Sequence, residues 1–187
     1  MPIERIGPGQ RGAVVVNVDR IQRGVAQLMN NNSHVLTMAA AAGAGVTGGV
    51  FFVFSDFTMR ALRRLPARDG LAAMQAINRA APSPLFMGLL FGTAAASVAL
   101  GVKALADRDD PGAGQVVVGA LLYLTSIGLT IGYHVPRNEA LARVDPAAGG
   151  ATEVWSRYAS NWTRWNHLRT AASTAAMAAF LLALPAS

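Results

Sequence analysis

The sequence is poor in several residue types. Cysteine is absent, and Asp, Glu, Lys and Arg together make up 14% of the 187 residues. Without cysteine the chain has no disulfide, no thiolate metal ligand and no cysteine nucleophile. A soluble domain usually has about 25% charged residues, and the mean hydropathy here is +0.34. This composition is typical of an integral membrane protein.

The few charged residues leave long apolar segments between them. These segments lie between Arg23 and Asp56, between Arg79 and Lys103, between Asp110 and Arg137, and after Arg169. The first three are long enough for a helix to cross a bilayer core, which takes ~20 residues. The last is long enough only if its helix starts earlier, with the aromatic part at the membrane interface. The pattern predicts an all-α fold, an integral membrane four-helix bundle.

Turn residues set the predicted boundaries. Residues 1–33 are expected to form a tail as far as Gly12 and then a short interfacial amphipathic helix, with a helix packed on the bundle as the alternative. The apolar positions of this helix are Val18, Ile21, Val25 and Leu28. Residues 30–33 are expected to break the helix, and Ser33 to cap the next one. Residues 34–187 form the predicted transmembrane domain, with spans over 34–57, 84–105 and 115–135 and a long aromatic-rich final helix ending near 184.

Other residues refine this outline. Pro136 is expected to end or kink the third span, and Thr152 to cap the final helix. A short amphipathic helix is predicted through Leu71, Met74 and Ile77. Small residues such as Ala94 to Ser97 suit contact with partner helices, and a homo-oligomer is left open. Close helix packing is expected at the glycines of the first span, which are Gly43, Gly45, Gly48 and Gly49.

The arginines predict the orientation in the membrane. The loops after the first and third spans are richer in arginine than the other side of the bundle. The positive-inside rule places these loops in the cytoplasm and both termini outside, in a multi-pass protein of the cell membrane. The net charge of +6 is explained by the same arginines. Nucleic-acid binding is therefore not expected, and the lipid bilayer is.

One face of the final helix carries the most informative pattern. At 3.6 residues per turn an arc of roughly 100° holds Trp155, Tyr158, Trp162, Trp165, Asn166 and Arg169. Glu153, Arg157 and Arg164 fall on the opposite side. Aromatic rings beside an amide and a guanidinium favour a pocket for a flat, oxygenated ligand. Two structural alternatives stay open, because the rings could be interface anchors and Arg169 could snorkel to the surface.

Because successive spans cross the membrane in opposite directions, more polar residues are expected at the same end of the bundle. These residues are Asp56, Asn78, His134 and Asn138. Polar groups at membrane depth are candidates for function, although Asp56 has Arg60 one turn away as a structural partner and His134 could cap a helix end. His167 lies roughly 150° from the aromatic centre, so it is expected to contact another helix or, less directly, the pocket. The histidines and Asp56 have no metal-ligand spacing, so no metal site is predicted.

The same segments resemble a known family. Gly49 to Asp56, Met59 to Leu62 and Ala73 to Asn78 resemble the front half of the anthrone oxygenase-like family of small four-helix membrane proteins. Val135-Pro-Arg-Asn138 and Trp155-x-x-Tyr158-x-x-x-Trp162-x-x-Trp165-Asn-His-x-Arg169 resemble its back half. The resemblance covers about residues 35–184. The chain departs from the family pattern at two positions, where Asn is common in place of His134 and Leu in place of Arg137.

The resemblance implies oxidation of an anthrone-like flat aromatic to a quinone by O2, without an organic cofactor. Such a reaction needs a base for an acidic methylene, and His134 or His167 is the candidate. Donors for the resulting oxyanion are Arg169, Asn166 and Asn138. Asp56 would orient a histidine or anchor Arg169. The residues expected to hold the aromatic rings are Trp155, Tyr158, Trp162 and Phe54, with Asn78 beside them.

Two other functions remain open from the sequence. The same aromatic face at one end of the bundle is compatible with a non-catalytic protein that binds a lipophilic metabolite, or with an accessory subunit of a membrane assembly. The third alternative is an oxidase that depends on copper or iron. A binder shows affinity without product, a structural subunit co-purifies with a partner, and a metal oxidase loses activity to a chelator.

Overall fold

The part of the chain that the structure describes consists of helices joined by short loops, with no strand. The structure is a computed structural model, which describes the backbone of residues 8–185 and the side chains of residues 20–22 and 32–185. This confirms the predicted all-α class. The elements are α1 (Pro8–Val53), a first π-turn (Phe54–Thr58), α2 (Met59–Arg64), α3 (Ala67–Ala80), α4 (Pro84–Ala106), α5 (Ala113–Leu129), a second π-turn (Thr130–His134), α6 (Val135–Ala142) and α7 (Ala151–Leu182).

Contacts divide the chain into two units, Met1–Leu36 and Thr37–Ser187. The first unit is helical from Pro8 onwards, so the predicted tail does not extend to Gly12. The predicted helix break at residues 30–33 is wrong, because α1 is helical across them and Ser33 is not a cap. Asparagine is a weak helix former, but at less than about 0.7 kcal/mol per residue it does not end a helix.

The predicted interfacial amphipathic face falls mostly outside the described side chains. Val18, Val25 and Leu28 belong to that part of α1, whereas Ile21 is described and is 61% exposed. The amphipathic character of this segment therefore stays a prediction.

The core of the second unit forms where the last part of α1 meets α4, α5 and α7. The side chains that α1 contributes are mostly alanines, whereas the other helices contribute larger ones. Small residues let helix backbones approach closely, which is the usual way to pack helices in a membrane. The buried members are Ala40, Ala41, Ala44, Phe51, Leu90, Leu100, Ala120, Tyr123, Ile127, Ala176 and Phe180.

Buried hydroxyls in this core are paired with one another. The Tyr123 hydroxyl donates to the Leu90 carbonyl at 3.2 Å, so it accepts the hydrogen bond from Thr47, also at 3.2 Å. Ser173 of α7 donates to Ser126 of α5 at 2.9 Å. A polar group without a hydrogen-bond partner is costly away from water, and these hydroxyls satisfy one another. Because the bonds form only when the helices are correctly aligned, they also fix the register of α1, α4, α5 and α7.

A second apolar cluster lies at the N-terminal end of α7. It is formed by α2, α3, α6 and the first turns of α7, and α3 buries Leu71 and Met74 in it, as the predicted amphipathic helix requires. Its buried members are Met59, Leu62, Leu71, Met74, Leu141, Ala151, Trp155, Ala159 and Trp162. Helix α7 thus takes part in both clusters, with residues 163–175 between them.

Three helical segments in the described part are long and apolar enough to cross a membrane. They are Asn32–Arg64, Pro84–Ala106 and Ala113–Ala142, and they contain the first three predicted spans. This is consistent with a multi-pass membrane protein. Helix α7 carries charged residues as far as Arg169 and is not one of the three, so the fourth span and the orientation of the bundle stay predictions.

Two predicted helix ends are wrong. Pro136 does not end the third span, since it lies in the first turn of α6, directly after the second π-turn; the alternative, a kink at Pro136, stays a prediction. A proline in a first turn leaves no hydrogen bond unmade, because that N–H has no partner within the helix. Thr152 is not a cap either, because α7 begins at Ala151 with Gly150 as its N-cap residue.

The glycines of α1 were predicted to allow close packing, and three of them do. A Cβ at Gly43 would lie 2.1 Å from Thr93 Oγ1, one at Gly45 would lie 2.6 Å from Met177 Sδ, and one at Gly48 would lie 3.0 Å from Thr174 Oγ1. At Gly49 nothing lies within 4 Å of a Cβ. The close approach of α1 to α4 and α7 therefore depends on the first three glycines.

We expect Gly43→Ala to destabilise the bundle, because the new methyl group overlaps Thr93. Overpacking of this kind costs about 1–3 kcal/mol. Gly49→Ala is the matched control, and it should leave stability unchanged or raise it through the better helix propensity of alanine. The measurement is the midpoint of thermal unfolding of the detergent-purified protein. Equal midpoints for the two variants would contradict the assigned packing of α1 on α4.

Candidate functional site

The aromatic face of α7 turns inwards, as its spacing predicted. Trp155, Trp162, Asn166 and Arg169 are buried, and Tyr158 is half-buried. The residues predicted on the opposite side, which are Glu153, Arg157 and Arg164, are exposed. Trp165 lies at the edge of the arc and is 38% exposed. The face therefore consists of buried rings with one amide and one guanidinium among them.

Asn166 is fully buried and joins α7 to the end of α1. Its amide nitrogen donates to the Phe51 carbonyl at 2.7 Å and to the Ser55 hydroxyl at 2.6 Å. Its side-chain oxygen accepts from Nε of Arg169 at 3.1 Å and also from Nη2. Because both amide hydrogens are already used, Asn166 cannot donate to a substrate as predicted. It holds Arg169 instead.

Arg169 is 5% exposed, so it does not snorkel to the surface. Its Nη1 donates to Oγ1 of Thr130 at 3.1 Å, and that hydroxyl in turn donates to the Ser126 carbonyl at 2.9 Å. The guanidinium lies 4.0 Å from the centre of the Phe51 ring and 5.5 Å from that of Trp162. Hydrogen bonds at its edge and rings over its faces fix its position.

His134 is the last residue of the second π-turn and is 1% exposed. Its ring meets Trp162 edge-on at 5.0 Å and Tyr133 at 5.3 Å. Within the described part of the chain neither ring nitrogen makes a hydrogen bond of normal geometry, although the backbone of Trp165 is close enough to interact with the imidazole. A buried polar group without a partner costs free energy, so the predicted role as a helix-end cap does not explain it. A ligand beside Trp162 would supply the missing partner.

Asn138 connects two aromatic residues of α7. Its side-chain oxygen accepts from the Tyr158 hydroxyl at 2.8 Å and from the indole N–H of Trp162 at 3.0 Å. An indole nitrogen can only donate, so the oxygen of Asn138 faces the rings. Its amide hydrogens have no acceptor among the described residues. They are the free donors of this group.

Tyr158 and Asn78 complete the polar edge of the site. The amide nitrogen of Asn78 donates to the Tyr158 hydroxyl at 3.4 Å. Burial raises the pKa of Tyr158, and the hydrogen bond from Asn78 opposes that rise. The phenol therefore stays neutral near pH 7 and acts as a hydrogen-bond donor to Asn138. The Trp155 ring stacks on Tyr158 at 6.1 Å, and Phe54 lies 6.0 Å from Trp162.

Two predicted site residues lie apart from this cluster. Asp56 is half-buried and forms an ion pair with Arg60, so it neither anchors Arg169 nor orients a histidine. His167 is exposed, so it does not pack between helices and does not reach the ring of Trp162. Both outcomes follow from helix geometry, since Arg60 lies one turn after Asp56 and His167 points away from the buried arc.

The described residues contain no group of three or more metal-ligating carboxylate and imidazole side chains. The two histidines of the predicted site lie apart, since one is buried and the other is exposed.

Sequence analysis missed three residues that hold the site, which are Phe51, Ser55 and Thr130. Ser55 lies in the first π-turn and Thr130 opens the second. A π-turn inserts an extra residue into a helical turn and often marks a functional site, but it has no sequence signature that periodicity reveals. The available signals were the hydroxyls of Ser55 and Thr130 inside apolar spans and the resemblance of the segment Gly49 to Asp56, which contains Phe51 and Ser55, to the family.

We expect Asn166→Ala to destabilise the fold, because it removes partners from Ser55, the Phe51 carbonyl and Arg169 at once. Each buried polar group left unsatisfied costs about 1–3 kcal/mol. Asn161→Ala, at an exposed position of the same helix, is the control and should have little effect. The thermal midpoint of the purified protein measures both. A small effect at Asn166 would mean that these bonds do not hold α1 to α7.

Comparison with known proteins identifies the family of the chain. No curated protein and no solved structure matches the chain. The family model described as Anthrone oxygenase matches residues 83–179, a range that contains α4, α5, the second π-turn, α6 and most of α7. The matched range includes His134, Asn138, Tyr158, Trp162 and Arg169. The match covers more than half of the chain, which supports an oxygenase-like or related function, and the chain belongs to the anthrone oxygenase family.

Proposed function

We propose that the chain is a membrane-embedded oxygenase that oxidises a flat, anthrone-like aromatic with O2, with a histidine base and without an organic cofactor. The observation that carries the proposal is the state of His134. Its buried imidazole lies against Trp162, and neither nitrogen makes a hydrogen bond of normal geometry with the described residues. Arg169 contacts the same indole ring. A base and a cation therefore flank one aromatic surface.

Proton removal is the first step of the proposed reaction. The methylene of an anthrone is acidic because the resulting anion spreads its charge onto the carbonyl oxygen. A neutral imidazole nitrogen of His134 takes this proton, which is the usual task of a histidine base near neutral pH. His167 is exposed and is not assigned this role.

The oxygen that gains charge needs hydrogen-bond donors in fixed positions. Arg169 is held by Asn166 and Thr130, and Asn138 is held by Tyr158 and Trp162 through its oxygen. Donors fixed before the reaction stabilise a developing charge without reorganising. Arg169 and the amide of Asn138 are the proposed oxyanion donors, and Asn166 is a positioning residue.

Oxidation of the anion follows without a further protein group. The carbanion passes one electron to O2, and the resulting radical and superoxide combine at the former methylene carbon. Protonation by the imidazolium of His134 gives a hydroperoxide, and loss of water from it leaves the quinone. The balance is one anthrone and one O2 to one quinone and one water. Trp162, Phe54, Tyr158 and Trp155 would hold the planar rings.

We expect the detergent-purified protein to consume O2 and form quinone from emodin anthrone faster than the spontaneous reaction. His134→Ala, which removes the imidazole without installing the Asn that is common in the family, should lower kcat by about 100-fold or more, the usual contribution of a general base. His167→Ala is the matched control and should retain activity, because that ring is exposed.

Metal content is determined on the same samples, so that each outcome has a distinct meaning. Full turnover in His134→Ala would overturn the assignment of the base. Activity that follows copper or iron content would make the histidines metal ligands. A folded protein that binds the aromatic without O2 uptake would be a binding protein, and one that co-purifies with a partner and does neither would be a structural subunit.

A further inference from the structure

The guanidinium of Arg169 is a buried cation whose described protein contacts are all electrically neutral. Its hydrogen-bond partners are the Asn166 amide oxygen and the Thr130 hydroxyl. The groups over its faces are the rings of Phe51 and Trp162. None of these carries a negative charge.

No carboxylate of the described residues pairs with Arg169. The acidic residue at the end of α1, Asp56, is paired with Arg60 and is half-buried. The other ion pairs join Lys103 to Asp107 and Asp110, beyond the C-terminal end of α4. The positive charge of Arg169 therefore has no counter-ion within the described part of the fold.

A charge in this position is costly. Taking an ion out of water carries a free-energy penalty that persists after the protein relaxes. Cation–π contacts and hydrogen bonds to neutral groups offset part of that penalty. An anion paired with the guanidinium would offset the remainder.

The guanidinium also has donors left for such an anion. An arginine side chain is a fork of five N–H donors, and three hydrogen bonds use part of it. The terminal nitrogens retain N–H groups without an acceptor in the described residues. Their spacing matches the two oxygens of a carboxylate or the single oxygen of a phenolate or enolate. The neighbouring rings of Trp162 and Phe51 favour a planar aromatic body on the same ligand.

We propose that the site is a receptor for planar aromatic anions, in which an ionised oxygen group of the ligand pairs with Arg169. This binding proposal extends the proposed function. It rests on that function only in assuming that the substrate binds at this site. It adds that the ligand is held by its negative charge, so that aromatic anions without an oxidisable methylene also bind. In the proposed reaction the enolate oxygen becomes a neutral carbonyl, which removes the charge that held the ligand and favours release of the product.

Two stable probes test the proposal without turnover. Anthraquinone-2-carboxylate is ionised at pH 7, and anthraquinone-2-carboxamide has nearly the same shape without the charge. Neither has a methylene to lose. Binding to the protein in an uncharged maltoside detergent is measured by equilibrium dialysis. We expect the carboxylate to bind at least tenfold more tightly than the carboxamide.

Three variants assign this preference to one residue. Arg169→Gln should abolish the preference, and Arg169→Lys, which keeps the charge, should retain part of it. Arg164→Gln removes an exposed arginine of the same helix and should leave the preference unchanged. Equal binding of the two probes by the natural protein, no binding of the carboxylate, or a preference that survives Arg169→Gln would each overturn the proposal.

The two proposals fail in different ways. Selective binding of the carboxylate with no O2 uptake from emodin anthrone would leave the anion site standing and overturn the oxygenase. Quinone formation without any preference between the probes would support the oxygenase and overturn the anion site. The binding assay of the natural protein needs no variant to fold, so a destabilised Arg169→Gln protein does not prevent a decision.

Discussion

A buried guanidinium needs protein groups to replace the water it has lost, and that requirement organises the middle of this fold. Arg169 lies on the stretch of α7 between the two apolar clusters. Asn166 and Thr130 accept its hydrogen bonds, and Phe51 covers one of its faces. Helices α1, α5 and α7 are thereby held together at one level of the bundle.

The two π-turns supply further polar side chains at the same level of the bundle. The first carries Ser55, which accepts from Asn166, and the second carries both Thr130 and His134. Each turn changes the direction of the side chains that follow, because a π-turn contains one more residue than an α-helical turn. Pro136 follows the second turn directly, and it is tolerated there because it occupies the first turn of a new helical segment. The irregular backbone thus lies where the polar groups are, and the regular helices lie in the apolar core.

Two buried polar side chains of the site, Asn166 and His134, differ in whether their hydrogen bonds are satisfied within the protein. Asn166 uses both amide hydrogens and its oxygen within the protein, so it is suited to support. His134, a few residues beyond Thr130, has an equally buried side chain that makes no hydrogen bond of normal geometry with the described residues. In a membrane protein an unsatisfied buried polar group is a reason to infer a ligand.

Much of this could be predicted from the sequence because helical periodicity and uncharged length are local properties. They predicted the all-α fold, the first three spans, the amphipathic α3 and the inward face of α7 with Trp162, Asn166 and Arg169. The same local reasoning failed at residues 30–33, Pro136 and Thr152, where a weak preference was treated as a helix end. Only the tertiary structure decided that Asp56 pairs with Arg60, that His167 is exposed, and that Ser55 and Thr130 hold the site. Hydrogen-bond partners and π-turns depend on which helices meet, and a single sequence contains no periodic signal for either.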